Sequence, residues 1–117
     1  MEQRIISVVR DFSRYPGGRS RRDRPNSGQQ FREDLLAPAL QEIADDPHGK
    51  VVVDIDGAAG YGSSFLEEVF GGLVRAHVVA PEALRQKLEI KSNDPVFGGF
   101  RQDAERYLHD AIRAASH

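Results

Sequence analysis

Ser63 and Ser64 stand side by side between a Gly-rich segment, Gly57-Ala58-Ala59-Gly60-Tyr61-Gly62, and a run of apolar residues at helical spacing. Hydroxyls at such a junction can cap the helix that follows or accept a phosphoryl group stabilised by its free N–H groups. Four carboxylates surround them: Asp54 and Asp56 precede the turn, and Glu67 and Glu68 follow it. Four acids near one turn could hold a metal or form an acid–base pair. The rest of the chain does not complete either site. No nucleophile has an adjacent base, and His48, His77, His109 and His117 do not fall at ligand spacing. The absence of cysteine removes thiolate catalysis, disulfides and Cys-based zinc sites. Asp54 and Asp56 are therefore expected to bind turn amides or to pair with arginines. No catalytic residue, metal or cofactor is expected. The glycines lack both a Gly-Lys-Ser/Thr ending and a Gly-x-Gly-x-x-Gly pattern, which argues against nucleotide hydrolysis and dinucleotide binding.

A second group with chemical potential is cationic. Arg14, Arg19, Arg21, Arg22 and Arg24 fall within eleven residues, and arginine pairs bidentately with phosphate. Yet Tyr15 is the one aromatic among them, and the formal charge of the chain is -2. Asp11, Asp23, Glu33 and Asp34 lie close enough in sequence to offset the arginines. A solvated, charge-balanced hairpin or loop is expected, with nucleic-acid or phospholigand binding as the alternative function.

The elements that must position these groups follow from periodicity. Arg4 to Phe12 reads as a first strand carrying Ile5, Ile6, Val8 and Val9. Pro16-Gly17-Gly18 is a turn, after which Arg19 to Arg22 either pair back as a hairpin or stay in an open loop. Ser27 suits the N-cap of a helix from about Gly28 to Ala44, and Pro38 should kink or divide it. Val51-Val52-Val53 with Ile55 predicts a strand covered on both faces. The helix after the turn is expected to start at the serines, with Ser63 or Ser64 as cap and Glu67 completing a capping box. It carries Phe65, Leu66, Val69, Phe70, Leu73 and Val74 on its apolar side. Gly71-Gly72 inside it suggests close packing or an approaching partner. Pro81 opens a short helical turn, Lys87 to Ser92 a third strand, and Phe100 to Ala115 a last helix with Ala104, Tyr107, Leu108, Ala111 and Ile112 on one face. Phe97 to Phe100 is expected to be a flexible aromatic segment.

Alternation of this kind predicts an α/β fold: a small sheet of about four strands with helices mainly on one face. At 117 residues, with 39% hydrophobic and 29% charged, the chain is expected to be a single domain over residues 1–117. No apolar run approaches a membrane span, and Met1-Glu2-Gln3-Arg4 lacks the features of a signal peptide. A cytoplasmic protein is the expectation.

The stretch from Val51 to Arg75, with Gly60-Tyr61-Gly62-Ser63-Ser64-Phe65-Leu66-Glu67-Glu68 at its centre, resembles the STAS-like family of bacterial domains of unknown function. Tyr15 to Arg19 and Ser27 to Arg32 look like the same family's N-terminal pattern. The likeness is strongest from about Arg14 to Arg75. The wider STAS group includes anti-sigma-factor antagonists, in which a serine after the central strand is phosphorylated by a partner kinase of the GHKL ATP-binding type. There the motif reads Asp-Ser-Ser-Gly; here Gly62 and Phe65 flank the serine pair. The resemblance implies a non-catalytic regulatory interaction module, a component of partner switching whose partner is such a kinase or an anti-sigma factor. It points to Ser63 and Ser64 as phosphoacceptors, with Tyr61, Gly62, Phe65, Glu67 and Glu68 forming the partner surface.

Overall fold

Residues 3–116 are described by a computed structural model; Met1, Glu2 and His117, including one of the histidines considered above, lie outside the described residues. Its centre is strand β2, Lys50–Asp54, in which Val51 and Val53 are fully buried. Fully burying such side chains contributes roughly 1.5–3 kcal/mol each. Strand β1, Gln3–Ser7, and strand β3, Leu88–Lys91, flank β2 in parallel, in the order β1-β2-β3. Ile6, Val53 and Ile90 form one row across the sheet, and Arg4, Val51 and Leu88 another. Side chains alternate along a strand, so these rows share a face, and their apolar members join the core beneath the helices. The other face carries Ile5, Val52 and Glu89, with Ile5 53% exposed and Lys50 paired to Glu89. Among the described residues the sheet has three strands, not about four.

One sequence expectation fails because local hydrogen bonding competes with the ladder. The first strand ends at Ser7 and does not reach Phe12. The Ser7 hydroxyl accepts from the Arg10 N–H, the Asp11 carboxylate accepts from the Ser7 N–H, and Val8–Phe12 closes into a π turn. Of the two alternatives for Arg19 to Arg22, the open loop is the one that forms. The Gly28 and Gln29 N–H groups donate to the carbonyls of Gly18 and Arg19, so this loop folds onto the helix that follows it.

That helix, α1, spans residues 28–42, capped as expected by the Ser27 hydroxyl, which accepts from the Gln30 N–H at 3.1 Å. Pro38 does not divide it. The misfit is taken up just upstream by a π turn, Arg32–Leu36, where the Ala37 N–H reaches back to the Arg32 carbonyl. Helix α2 spans residues 63–75 with a second π turn, Glu67–Gly71. Helix α3, Pro81–Lys87, runs directly into β3. The Phe97 segment is ordered as a 3-10 turn, Pro95–Phe97, leading into helix α4, Gly98–Ala115, which buries Ala104, Leu108 and Ile112. Among the described residues no helix is long and apolar enough to cross a membrane.

Where α1 crosses α2, Gly28 makes the approach. A Cβ at this position would lie 2.7 Å from the Phe65 backbone carbonyl oxygen. Alanine normally favours a helix over glycine by up to about 1 kcal/mol, but this clash is against backbone and cannot be relieved by a rotamer change. Gly28→Ala is therefore expected to lower stability by about 1–3 kcal/mol, read as a fall in the urea midpoint with unchanged slope. A midpoint that rises would show that the crossing is looser than described.

Candidate functional site

The turn after β2 is built by its own carboxylates. Asp54 accepts from the Asp56 N–H at 3.0 Å and closes the first bend. Asp56 reaches across to the segment after β3, accepting from the Ser92 hydroxyl at 2.6 Å and from the N–H groups of Asn93 and Asp94 at 2.7 and 3.2 Å. Burial pushes the Asp56 carboxyl upward, but these donors outweigh it and hold it below its usual range. Both acids thus bind turn amides, and among the described residues neither forms an ion pair with an arginine. Gly57 and Gly60 take φ values of +90° and +152°. L side chains rarely adopt either.

Tyr61 then turns inward. It is 8% exposed, its hydroxyl donates to the Ile55 carbonyl at 2.8 Å, and burial is the main cause of a raised phenol pKa. Its ring centroid lies 5.7 Å from that of Phe65 and 5.4 Å from that of Phe100. Both separations are within aromatic contact range. Phe65 is itself buried and continues the stack to Phe31 and Phe12. Expected on the partner surface, Tyr61 and Phe65 instead support it from below. Apolar area favours the core when the core is within reach.

Gly62, Ser63 and Ser64 are exposed. Gly62 is the N-cap of α2, and its carbonyl accepts from the Leu66 N–H. Neither serine caps the helix, and no capping box forms. Ser63 and Ser64 are the first two helical residues, and among the described residues neither hydroxyl has a hydrogen-bond partner. Glu67, the expected reciprocal cap, is engaged elsewhere. Arg75 grips it at 2.7 and 2.9 Å, and Arg19 adds a bond at 2.6 Å. Glu68 takes Arg32 at 2.8 Å and Arg19 at 3.3 Å. Together these charges tie the arginine loop, α1 and α2 into one network.

Gly71 and Gly72 are explained by that network. A Cβ at Gly71 would collide with the Glu67 carboxylate, and one at Gly72 would lie 3.0 Å from Arg32 Nε, a buried atom with no hydrogen-bond partner. What approaches this backbone is the chain's own ion pairs. Sequence reading missed Arg32 and Arg75. Glu67 and Arg75 are eight apart, outside the i, i+3 and i, i+4 spacings that signal helical pairs. The glycine between them was the available clue, because its bare Cα makes room for the contact.

The arginines divide. Arg19 is committed to Glu67 and Glu68, and Arg21 to Glu33 and Asp34. Arg24 lies over Gly17, where a Cβ would come within 2.7 Å of its Nε. Arg14, Arg22 and Arg24 have no ion pair among the described residues. The Arg14 carbonyl accepts from the Ala59 N–H at 2.8 Å, so the loop and the glycine turn are neighbours in space. No cluster of metal-ligating side chains occurs among the described residues.

A three-stranded parallel sheet whose central strand delivers a Gly-rich turn to an exposed helix N-terminus defines a small α/β domain. The family model of the STAS-like domain of unknown function matches residues 27–102, and the chain belongs to that family. The match starts at Ser27, leaving Tyr15 to Arg19 outside it, and runs beyond Arg75. Comparison with curated proteins and with solved structures gives no match.

Glu67 links this site to acid stability. Arg75 lowers its carboxyl pKa most, burial opposes that, and Arg19 lowers it further. A carboxylate with a depressed folded pKa adds stability above its unfolded value, roughly 4.3, and loses that contribution as pH falls through the folded value. Glu67→Gln is expected to lower stability at pH 7 by about 1 kcal/mol and to flatten the decline below about pH 4. Urea midpoints measured across this window check both effects; an unchanged acid limb would remove Glu67 from it.

Proposed function

We propose that this domain is a non-catalytic regulatory module that binds a protein partner through the N-terminus of α2 and is switched by phosphorylation of Ser63 or Ser64. One observation carries the reading: both hydroxyls are exposed at a helix start and neither is used to hold the helix. A phosphate there would meet first-turn N–H groups and the positive end of the helix dipole. It would bring a charge of about -2 to a face that a partner must contact. The core beneath would not need to move, because Tyr61 and Phe65 are anchored independently. The resemblance to anti-sigma-factor antagonists supplies the partner class, a GHKL-type ATP-binding kinase or an anti-sigma factor, in the cytoplasm of a bacterium.

Because neither serine caps α2, changing both to Ala is expected to alter stability by less than about 0.5 kcal/mol, whereas loss of a cap costs typically ~1 kcal/mol. Affinity purification from the native cell should recover the same partner with wild type and with the double Ala variant. The double Asp variant should bind that partner at least about tenfold more weakly, some ~1.4 kcal/mol. Phosphopeptide mass spectrometry should find phosphate on one serine. Serines always unmodified, with partner binding indifferent to Asp, would count decisively against the switch.

A second reading rests on Arg14, Arg22 and Arg24, which are exposed and carry no ion pair among the described residues. If they bind nucleic acid, affinity for generic DNA or RNA should fall steeply between about 50 and about 200 mM salt, roughly tenfold or more for three phosphate contacts. The triple Ala variant should then lose most of it. Gel shifts that show no binding at the lower salt would retire this function.

A further inference from the structure

The two edges of the sheet are finished differently. On β1 the chain itself occupies two of the outward-facing backbone groups: Arg10 donates to the Ile5 carbonyl and the Asp11 carboxylate accepts from the Ser7 N–H. An edge partly occupied in this way is a poorer template for pairing. On β3 the Lys91 carbonyl accepts from the Ile55 N–H, which turns Lys91, and with it Glu89, toward β2. Alternate residues of a strand direct their N–H and C=O groups to opposite sides, so Leu88 and Ile90 face the open edge. The Leu88 N–H is used by the Leu84 carbonyl at the end of α3. Among the described residues the Leu88 carbonyl and both backbone groups of Ile90 have no hydrogen-bond partner outside the strand pairing. A groove of about 260 Å³ runs beside this edge, with Leu88, Ile90 and Leu108 at its apolar part and Arg85 and His109 along it.

We propose that the β3 edge pairs antiparallel with the β3 edge of a second copy of this chain, about a two-fold axis at Ile90. The sequence of the strand is what selects this occupant. With Ile90 opposite Ile90, the two N–H and C=O groups satisfy each other across the axis. Leu88 then falls opposite Ser92, so that the free Leu88 carbonyl meets the Ser92 N–H. Between these hydrogen-bonded pairs, Glu89 of one copy stands directly opposite Lys91 of the other, twice, in the closer non-hydrogen-bonded positions. Both side chains lie on the sheet face opposite the Leu88 and Ile90 row, where Glu89 also pairs with Lys50 of its own chain. The edge is thus complementary in charge to itself when reversed. The product is a continuous six-stranded sheet with a β1 strand at each outer edge. The pairing uses one short strand per copy, so a weak, concentration-dependent dimer is expected.

Sedimentation velocity of the full chain across concentration tests this, together with amide exchange at Ile90. Wild type should dimerise below about 1 mM, with the Ile90 amide exchanging more slowly as concentration rises. Glu89→Lys places lysines opposite Lys91, and Lys91→Glu places glutamates opposite Glu89. Each variant alone should dimerise about tenfold more weakly, with circular dichroism confirming the fold. Mixed in equal amounts, the two variants oppose Lys to Glu at every position and should form a heterodimer at least as readily as wild type. A wild-type chain that stays monomeric up to that concentration overturns the proposal. So does a dimer that tolerates both single changes, or single variants that fail to associate when mixed.

Discussion

An ion pair between Arg32 on α1 and Glu68 on α2, with side chains only 11% and 16% exposed, holds the two central helices in register. Taking two charges this far from water is costly, and their attraction repays it only when the geometry is good. Here the geometry depends on what is missing. Gly28 lets the helices approach, and Gly71 and Gly72 leave a bare stretch of backbone for Arg32 and the Glu67–Arg75 pair to lie against. Arg19 closes the network by reaching both glutamates from the loop before α1. Losing Glu68 leaves the Arg32 guanidinium without its carboxylate partner, and breaking a buried pair in this way typically costs about 3–5 kcal/mol, so the crossing is well determined.

With α2 locked in this way, the start of the helix can be left exposed. Tyr61 and Phe65 anchor the turn to the aromatic stack, and Asp56 ties it to the segment after β3. Stability therefore comes from beneath the turn and from its flanks, and none of it is drawn from Ser63 or Ser64. A surface whose polar groups are not needed for folding is free to be read or modified by another molecule.

Much of the fold was legible in the chain. The apolar run Val51 to Val53, the Ser27 cap, the i, i+3, i+4 pattern from Phe65 to Val74 and the late helix ending at Ala115 all appear where local spacing predicts them. These signals are local: they depend on propensity and on the short repeats of strand and helix. The errors were local signals too, overridden by contacts. The apolar Val8-Val9 pair extended the first strand in prediction, but Ser7 and Asp11 bend the backbone into a π turn. Ser64 and Glu67 match a capping box, yet Arg19 and Arg75 take the glutamate.

Sequence alone determined the α/β class, the place of the glycine turn, the serine pair at the helix start and the absence of cysteine chemistry. Each is a property of adjacent residues or of composition. Only the tertiary structure decided that Tyr61 and Phe65 face inward and that two of five arginines in the loop are spent on carboxylates. Those outcomes turn on pairs such as Arg19 with Glu67, or Asp56 with Ser92, that lie tens of residues apart. Folding brings them together for the sake of the core, and no spacing rule along the chain encodes the meeting.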